Sequence, residues 1–315
     1  MKKLLFFVLL FCVLVGELFA QGSAGGSNSN SPQSSASQGP IKVRVELVNV
    51  LMSVTDKKNR LVTDLTKDDF RIFEGGRPQE IRFFSRETNL PLRIGILIDT
   101  SNSIRGRLRF EQEAAVDFLN TTVRPGKDLV FVVSFDVETQ LVQDYTDDIE
   151  KLSDAIRSLQ AGGVTSLYDA IFFSCMEKLL FFPPPEPYLR RVMIIISDGQ
   201  DNQSEHTREE ALAMAQRAEV TIYTISTNRT GLEGRGDKVL RRLADETGGR
   251  AFFPFEAGDL TANFQEISRE LRSQYSLAYV STNTAHDGTF RSITIQAVDK
   301  SLRVRAKNGY FALSQ

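Results

Sequence analysis

The chain has 315 residues, a formal net charge of −2, 41% hydrophobic residues and 25% charged residues. That is enough apolar material for one large domain or two smaller ones. The mixed charge carries neither the basic stripe of a nucleic-acid binder nor a long acidic tail, and with only 2 cysteines and 2 histidines neither a disulfide framework nor a thiolate zinc site is available.

In chain order, Lys2 and Lys3 precede an apolar run from Leu4 to Val15, with Ala20 as the cleavage residue. The run is too short to span a bilayer, so residues 1–20 are expected to be a removed signal peptide. A secreted or periplasmic protein with no membrane span after signal removal follows. Cys12 lies too far from the cut to become a lipidated first residue, which leaves Cys175, in an apolar helical stretch, as a buried inert thiol. Residues 21–40 are rich in Ser, Gly, Asn and Gln and predict a disordered tether.

Residues 41–88 predict an N-terminal β segment. VRVELVNVLMSV alternates apolar and polar residues up to Val54, as a half-buried strand does. Gly75-Gly76 then marks a turn between two short strands.

Residues 89–274 change character. Strands are predicted at Arg93–Ile98, Leu129–Phe135, Val192–Ser197, Thr221–Ser226 and Arg250–Pro254. The nearly continuous apolar runs IGILI, LVFVVSF and VMIII suit parallel strands covered on both faces. Helical patterns fall at Arg107–Asn120, Asp147–Leu159, Ser166–Leu180, Arg208–Ala218, Asp237–Thr247 and Leu260–Ser273. Thr139–Gln143 fits a short antiparallel edge strand. This alternation predicts an α/β fold with a doubly wound, mostly parallel sheet. Residues 275–315 return to strand alternation in YSLAYVS, RSITIQAV, LRVRA and GYFAL. The economical architecture is a small β-sandwich built from both ends, pairing 275–315 with 41–88, with the α/β domain inserted between them.

One constellation carries chemistry. The strand IGILI runs into Asp99, followed by Ser101 and Ser103 at alternate positions. The strand VMIIIS runs into Asp198-Gly199. Between them, Gly162-Gly163-Val164-Thr165-Ser166 opens a helix and offers a further hydroxyl. Asp99, Ser101, Ser103, Thr165 and Asp198 are all oxygen donors and only two are charged. Such a set suits Mg²⁺, or Mn²⁺ or Ca²⁺, rather than zinc or copper. It would leave the ion a position for an outside ligand, and a protein partner's Asp or Glu is the expected one. Strand ends where the sheet order reverses are the usual ligand sites of open α/β sheets.

Asp99-Thr100-Ser101-Asn102-Ser103, Thr165 and Ser197-Asp198-Gly199 resemble the metal-ion-dependent adhesion site (MIDAS) of the von Willebrand factor A family. The resemblance implies that Ser101, Ser103 and Thr165 coordinate the metal directly or through water. It implies that Asp99 and Asp198 act largely through water or hydrogen bonds, and that the chain is an adhesion or interaction module rather than an enzyme. The flanks VTDLTKDDFRIFEGGRPQEI, YSLAYVSTN, DGTFRSITI and VRAKNGYFA extend the likeness to bacterial "VWFA-related domain" proteins of acidobacterial type.

The alternatives are weaker. A phosphatase of the haloacid-dehalogenase kind would need an aspartate where Ser101 stands. A scaffold with a non-adhesive metal site would bind through the sandwich instead. Arg235-Gly236-Asp237 spells an integrin-recognition tripeptide but is expected to be a surface turn leading into the helix from Asp237. Phe181–Pro187 reads as a stiff connector.

Overall fold

The computed structural model describes residues 47–180, 189–228, 232–254 and 257–314. The segments expected to be a signal peptide and a tether, the start of the first predicted strand and the proline-rich connector lie outside the described residues.

The central sheet contains β5 (Leu92–Asp99), β6 (Leu129–Phe135), β7 (Thr139–Thr146), β8 (Arg190–Ser197), β9 (Val220–Ser226) and β10 (Ala251–Phe252), in the order β10-β9-β8-β5-β6-β7. All neighbours are parallel except β7, which runs antiparallel to β6 along one edge. Every residue of β5 is buried, as a strand covered on both faces must be. Leu92, Ile94, Ile96 and Ile98 pack into one core with residues of α1 (Leu108–Thr122), α2 (Ile149–Arg157) and α6 (Ala257–Leu271). Leu97 joins the other core with residues of α3 (Leu167–Phe173), α4 (Arg208–Arg217) and α5 (Arg235–Thr247). The period of two along a strand thus produces two apolar layers, one on each face.

The sandwich is built from both ends of the described chain. One sheet has the order β13-β1-β11-β4 and the other β14-β12-β2-β3. From the N-terminal side come β1 (Leu47–Thr55), β2 (Phe70–Glu74), β3 (Arg77–Gln79) and β4 (Ile81–Glu87). From the C-terminal side come β11 (Gln274–Val280), β12 (Phe290–Ala297), β13 (Arg303–Ala306) and β14 (Gly309–Phe311). Val48, Val50, Met52 and Val54, alternate residues of β1, pack with Ile72, Leu277, Tyr279 and Ile293 between the sheets. At the β2–β3 turn both glycines adopt positive φ, +54° at Gly75 and +77° at Gly76, as a two-residue hairpin requires.

Three features depart from the sequence pattern. The predicted helix Ser166–Leu180 is α-helical only to Phe173 and continues with π-helical winding over Ser174–Leu180. Ser174 and Leu179, five residues apart, are both buried there, a spacing that the wider winding brings onto one face. Secondly, β3 pairs with β2 while β4 pairs with β11, so the chain changes sheet at Glu80. Thirdly, the strand predicted over Arg250–Pro254 contracts to Ala251–Phe252.

Buried polar groups join the sandwich to the α/β unit. Glu270 near the end of α6 accepts hydrogen bonds from Ser53 Oγ of β1 (2.9 Å) and Tyr223 Oη of β9 (3.0 Å) and pairs with Arg305 of β13. Arg190 at the start of β8 donates to the carbonyls of Leu271 and Glu87.

Candidate functional site

β5 lies between β8 and β6, so the chain leaves its C-terminal end in opposite directions on the two sides. The carboxyl ends of β5 and β8 border the crevice that such a reversal opens, and Asp99 and Ser197-Asp198 stand there. Asp99 is fully buried. Its Oδ1 accepts the Ser101 amide (2.9 Å) and its Oδ2 accepts Ser197 Oγ (2.7 Å). The Ser101 and Ser103 hydroxyls lie 2.8 Å apart. A short helical turn over Asn102–Ile104 gives Ser103 its position beside Ser101.

The Thr165 loop is tied to both strand ends through main chain. The Gly162 amide donates to the Thr100 carbonyl (2.6 Å) and the Asn102 amide to the Gly163 carbonyl (3.2 Å). Thr165 and Asn202 then exchange two bonds, Thr165 N to Asn202 Oδ1 and Asn202 N to the Thr165 carbonyl, each 3.1 Å. The segment from Gly162 to Thr165 is therefore held against the Asp99 loop on one side and the loop after Asp198 on the other. Thr165 itself is buried. Ser103 and Asp198 line one cavity.

Burial pushes the Asp99 carboxyl above the ordinary carboxylate range. The bonds from Ser197 and Ser101 offset part of that rise, and the nearby Asp198 charge adds to it. Neither aspartate makes an ion pair among the described residues. The described residues also contain no group of three or more His, Cys, Asp and Glu side chains placed to hold a metal ion by themselves. A cation here would depend on hydroxyl oxygens beside two carboxylates. That donor set fits a hard divalent ion, which would also offset the cost of keeping the Asp99 charge out of water.

Several contributors carry no sequence motif. Asp201 accepts the Tyr168 amide (2.9 Å) and Ser204 Oγ (2.6 Å), which joins the loop after β8 to the start of α3. Arg107 Nη1 donates to the Thr227 carbonyl (2.6 Å), linking the β5 loop to the loop after β9. Gly236 stands against Asp198: a Cβ at Gly236 would meet the Asp198 carbonyl oxygen at 2.0 Å. Across the same contact Gly199 (φ +74°) would place a Cβ 2.3 Å from the Gly236 carbonyl. The side-chain-free pair lets the first turn of α5 touch the loop that carries Asp198. The only hint in sequence is the position of the two glycines.

The tripeptide Arg235-Gly236-Asp237 forms the first turn of α5 rather than a surface turn ahead of it. Asp237 is buried and accepts Ser226 Oγ (2.5 Å), Asn228 Nδ2 (2.6 Å) and the Gly234 amide (2.8 Å). An integrin-recognition role would need that carboxylate exposed, so the tripeptide is a helix start with its acid turned inward.

The profile of the von Willebrand factor type A domain matches residues 94–270. No curated protein matches the sequence. Among solved structures, a von Willebrand factor type A protein from Catenulispora acidiphila is 12% identical at a TM-score of 0.49, with 86% of this chain and 74% of that one covered. Proximal thread matrix protein 1 from the mussel byssus, solved with a zinc-occupied MIDAS motif, is 18% identical at a TM-score of 0.49 over 63% of this chain. The present chain covers 49% of that mussel protein's length. The conserved hypothetical protein BatB from Bacteroides thetaiotaomicron is 17% identical at a TM-score of 0.46, with 58% of this chain and 100% of that one covered.

Proposed function

We propose, from the premise that the chain belongs to the von Willebrand factor type A domain family, that it is an exported protein-binding module whose grip on its partner depends on a divalent cation. The family is one of binding modules rather than enzymes, and the reading assigns the chain no turnover. Asp99, Ser101, Ser103, Thr165 and Asp198 would hold Mg²⁺, or Mn²⁺ or Ca²⁺ in its place. When bound, the ion supplies a Lewis-acidic position that an Asp or Glu carboxylate of a partner completes.

The carrying observation is the Asp99 carboxylate, fully buried at the strand switch with Asp198 beside it. An ionised carboxylate removed from water costs several kcal/mol, and two neighbouring ones cost more unless positive charge compensates. Within this reading the roles divide by chemistry. Asp99, locked by Ser197 and the Ser101 amide, supplies fixed charge. Ser101 and Ser103, already 2.8 Å apart, supply neutral oxygens. Few charged donors leave the ion electrophilic, which favours an anionic partner group over water. The basic, apolar leader supports action outside the cytoplasm.

The test is capture of envelope proteins from the source cells on immobilised chain, in Mg²⁺ and in EDTA, with an Asp99→Ala control. Partners retained in Mg²⁺ and lost both in EDTA and with the variant support the proposal. Retention that ignores EDTA and the variant refutes it and favours a scaffold that binds through its sandwich.

A further inference from the structure

Beside the Thr165 loop lies an open groove of about 690 Å³. Its apolar lining comes from Phe172 and Phe173 at the end of α3, Met176 in the π-helical stretch and Val137 in the turn between β6 and β7. Val137 is half exposed, and a Cβ on Gly163 would stand 2.8 Å from its Cγ2, so the groove adjoins the loop that carries Thr165. Ser166, the residue after Thr165, lines it as well. His206 fixes one wall. Its ring stacks on Phe172 with centroids 3.8 Å apart. Asp169 pairs with its Nδ1 (2.7 Å) and accepts the amides of Glu205 and His206 (2.9 Å each). The Asp169 carboxylate is thereby committed to the loop before α4.

Three further carboxylates line the same groove: Glu138, Glu177 and Glu205. All three are exposed, and none has an ion pair or a side-chain hydrogen bond among the described residues. The lining contains no Lys or Arg. Lys178 and Arg208, which flank lining residues in sequence, are paired with Asp144 and Glu209. Negative charge left uncompensated over an aromatic surface is complemented by a cation from outside. Carboxylates alone would suit a hydrated metal ion, and rings alone would suit any apolar group. The two together fit a long carbon stem that ends in a positive charge, which gains from the rings as well as from the acids.

We infer that this groove receives a basic side chain, Lys or Arg, of the protein partner. Its carbon stem lies on Phe172, Phe173 and Met176, and its charge lies among Glu138, Glu177 and Glu205. The partner then carries a mixed epitope, with an acid for the cation position and a base close to it. The acidic half rests on the cation-dependent reading above, and the basic half rests on the groove.

The experiment is selection of a displayed library of random peptides on the immobilised full chain, in Mg²⁺ and in EDTA, with sequencing of what is retained. The parent in Mg²⁺ is expected to enrich peptides that carry an acid and a base together, with Lys and Arg about fivefold above the starting library, the factor an exposed ion pair supports. In EDTA the acid preference should vanish and the basic one remain. The triple variant Glu138→Gln, Glu177→Gln, Glu205→Gln should do the reverse in Mg²⁺, keeping the acid and losing the base. Its three substitutions are on exposed side chains, so its circular dichroism should match that of the parent. Lys and Arg at library frequency on the parent, or equally enriched on the variant, overturns the groove. Apolar residues enriched in place of basic ones reveals an apolar occupant and overturns it too. Basic enrichment on the parent that the variant loses, with no acid preference in Mg²⁺, upholds the groove and counts against the cation reading alone.

Discussion

Replacing Asp99 with Asn should separate the cost of a buried charge from the use made of it. The amide can keep both contacts, with Oδ1 accepting the Ser101 amide and Nδ2 donating to Ser197 Oγ in place of the present 2.7 Å bond from that hydroxyl. What disappears is an ionised group that is fully buried near Asp198. Desolvating that charge costs several kcal/mol, and the two bonds to it repay about 1.5–3 kcal/mol each. Neutral bonds are weaker but carry no ionic penalty, so in EDTA the variant should match or exceed the parent by about 1 kcal/mol. Mg²⁺ should reverse the order. At a free concentration about a hundred times its dissociation constant, an ion adds about 2.7 kcal/mol to a protein that binds it only when folded. For a folded unit the size of Val45–Gln315, 1 kcal/mol moves Tm by about 2–4 °C, so the parent should gain roughly 5–11 °C and the variant almost nothing. Thermal unfolding of both proteins in EDTA and in excess Mg²⁺ reads all four values. Equal Mg²⁺ shifts for the two proteins would refute the reasoning, as would a variant several kcal/mol less stable than the parent in EDTA.

Three further outcomes follow from other contacts. Gly236→Ala would set a Cβ 2.0 Å from the Asp198 carbonyl oxygen. The backbone there must shift, so urea unfolding should show a loss of about 1–3 kcal/mol, and Mg²⁺ titration should show weakened affinity with the Asp99 contacts untouched. Asp128 is fully buried. Burial raises its pKa, but bonds from Arg124, the Leu92 amide and Arg272 outweigh that and hold it below the ordinary carboxylate range. Its contribution is therefore complete above that range and lost as pH falls through the lowered value. Asp128→Asn should cost about 3–5 kcal/mol at neutral pH and flatten the acid limb of a stability–pH curve. Glu270→Ala would strand Arg305 and remove the acceptor shared by Ser53 and Tyr223. It should cost about 3 kcal/mol in urea unfolding and speed amide exchange in β1 and β13.

The parts of this molecule that repeat were legible in its sequence. IGILI, LVFVVSF and VMIII declare covered parallel strands because Ser134 is the only polar side chain in the three runs. Residues 48–54 and the C-terminal strands declare a sandwich because an apolar residue recurs at every second position. Asp99, Ser101, Ser103 and Asp198 were locatable because each follows such a run, and strand ends at a sheet reversal converge. Thr165 was reachable only through its glycine-bearing loop. The parts without a period stayed hidden. The π winding after Phe173 keeps the apolar pattern of an α-helix, and the sheet change at Glu80 spans a single residue. Arg107, Thr227 and the start of α5 line one cavity through contacts between loops distant in sequence, and local pattern does not encode those. Arg235-Gly236-Asp237 shows the converse: a familiar tripeptide whose acid is consumed by Ser226, Asn228 and Gly234.

Titrating Mg²⁺, and then Mn²⁺, into the purified chain and into its Asp99→Ala variant in a calorimeter puts the proposed cation site to its plainest trial. Saturable heat at a single site per chain in the parent, absent from a folded variant, is the predicted result. The same heats from both proteins would contradict it.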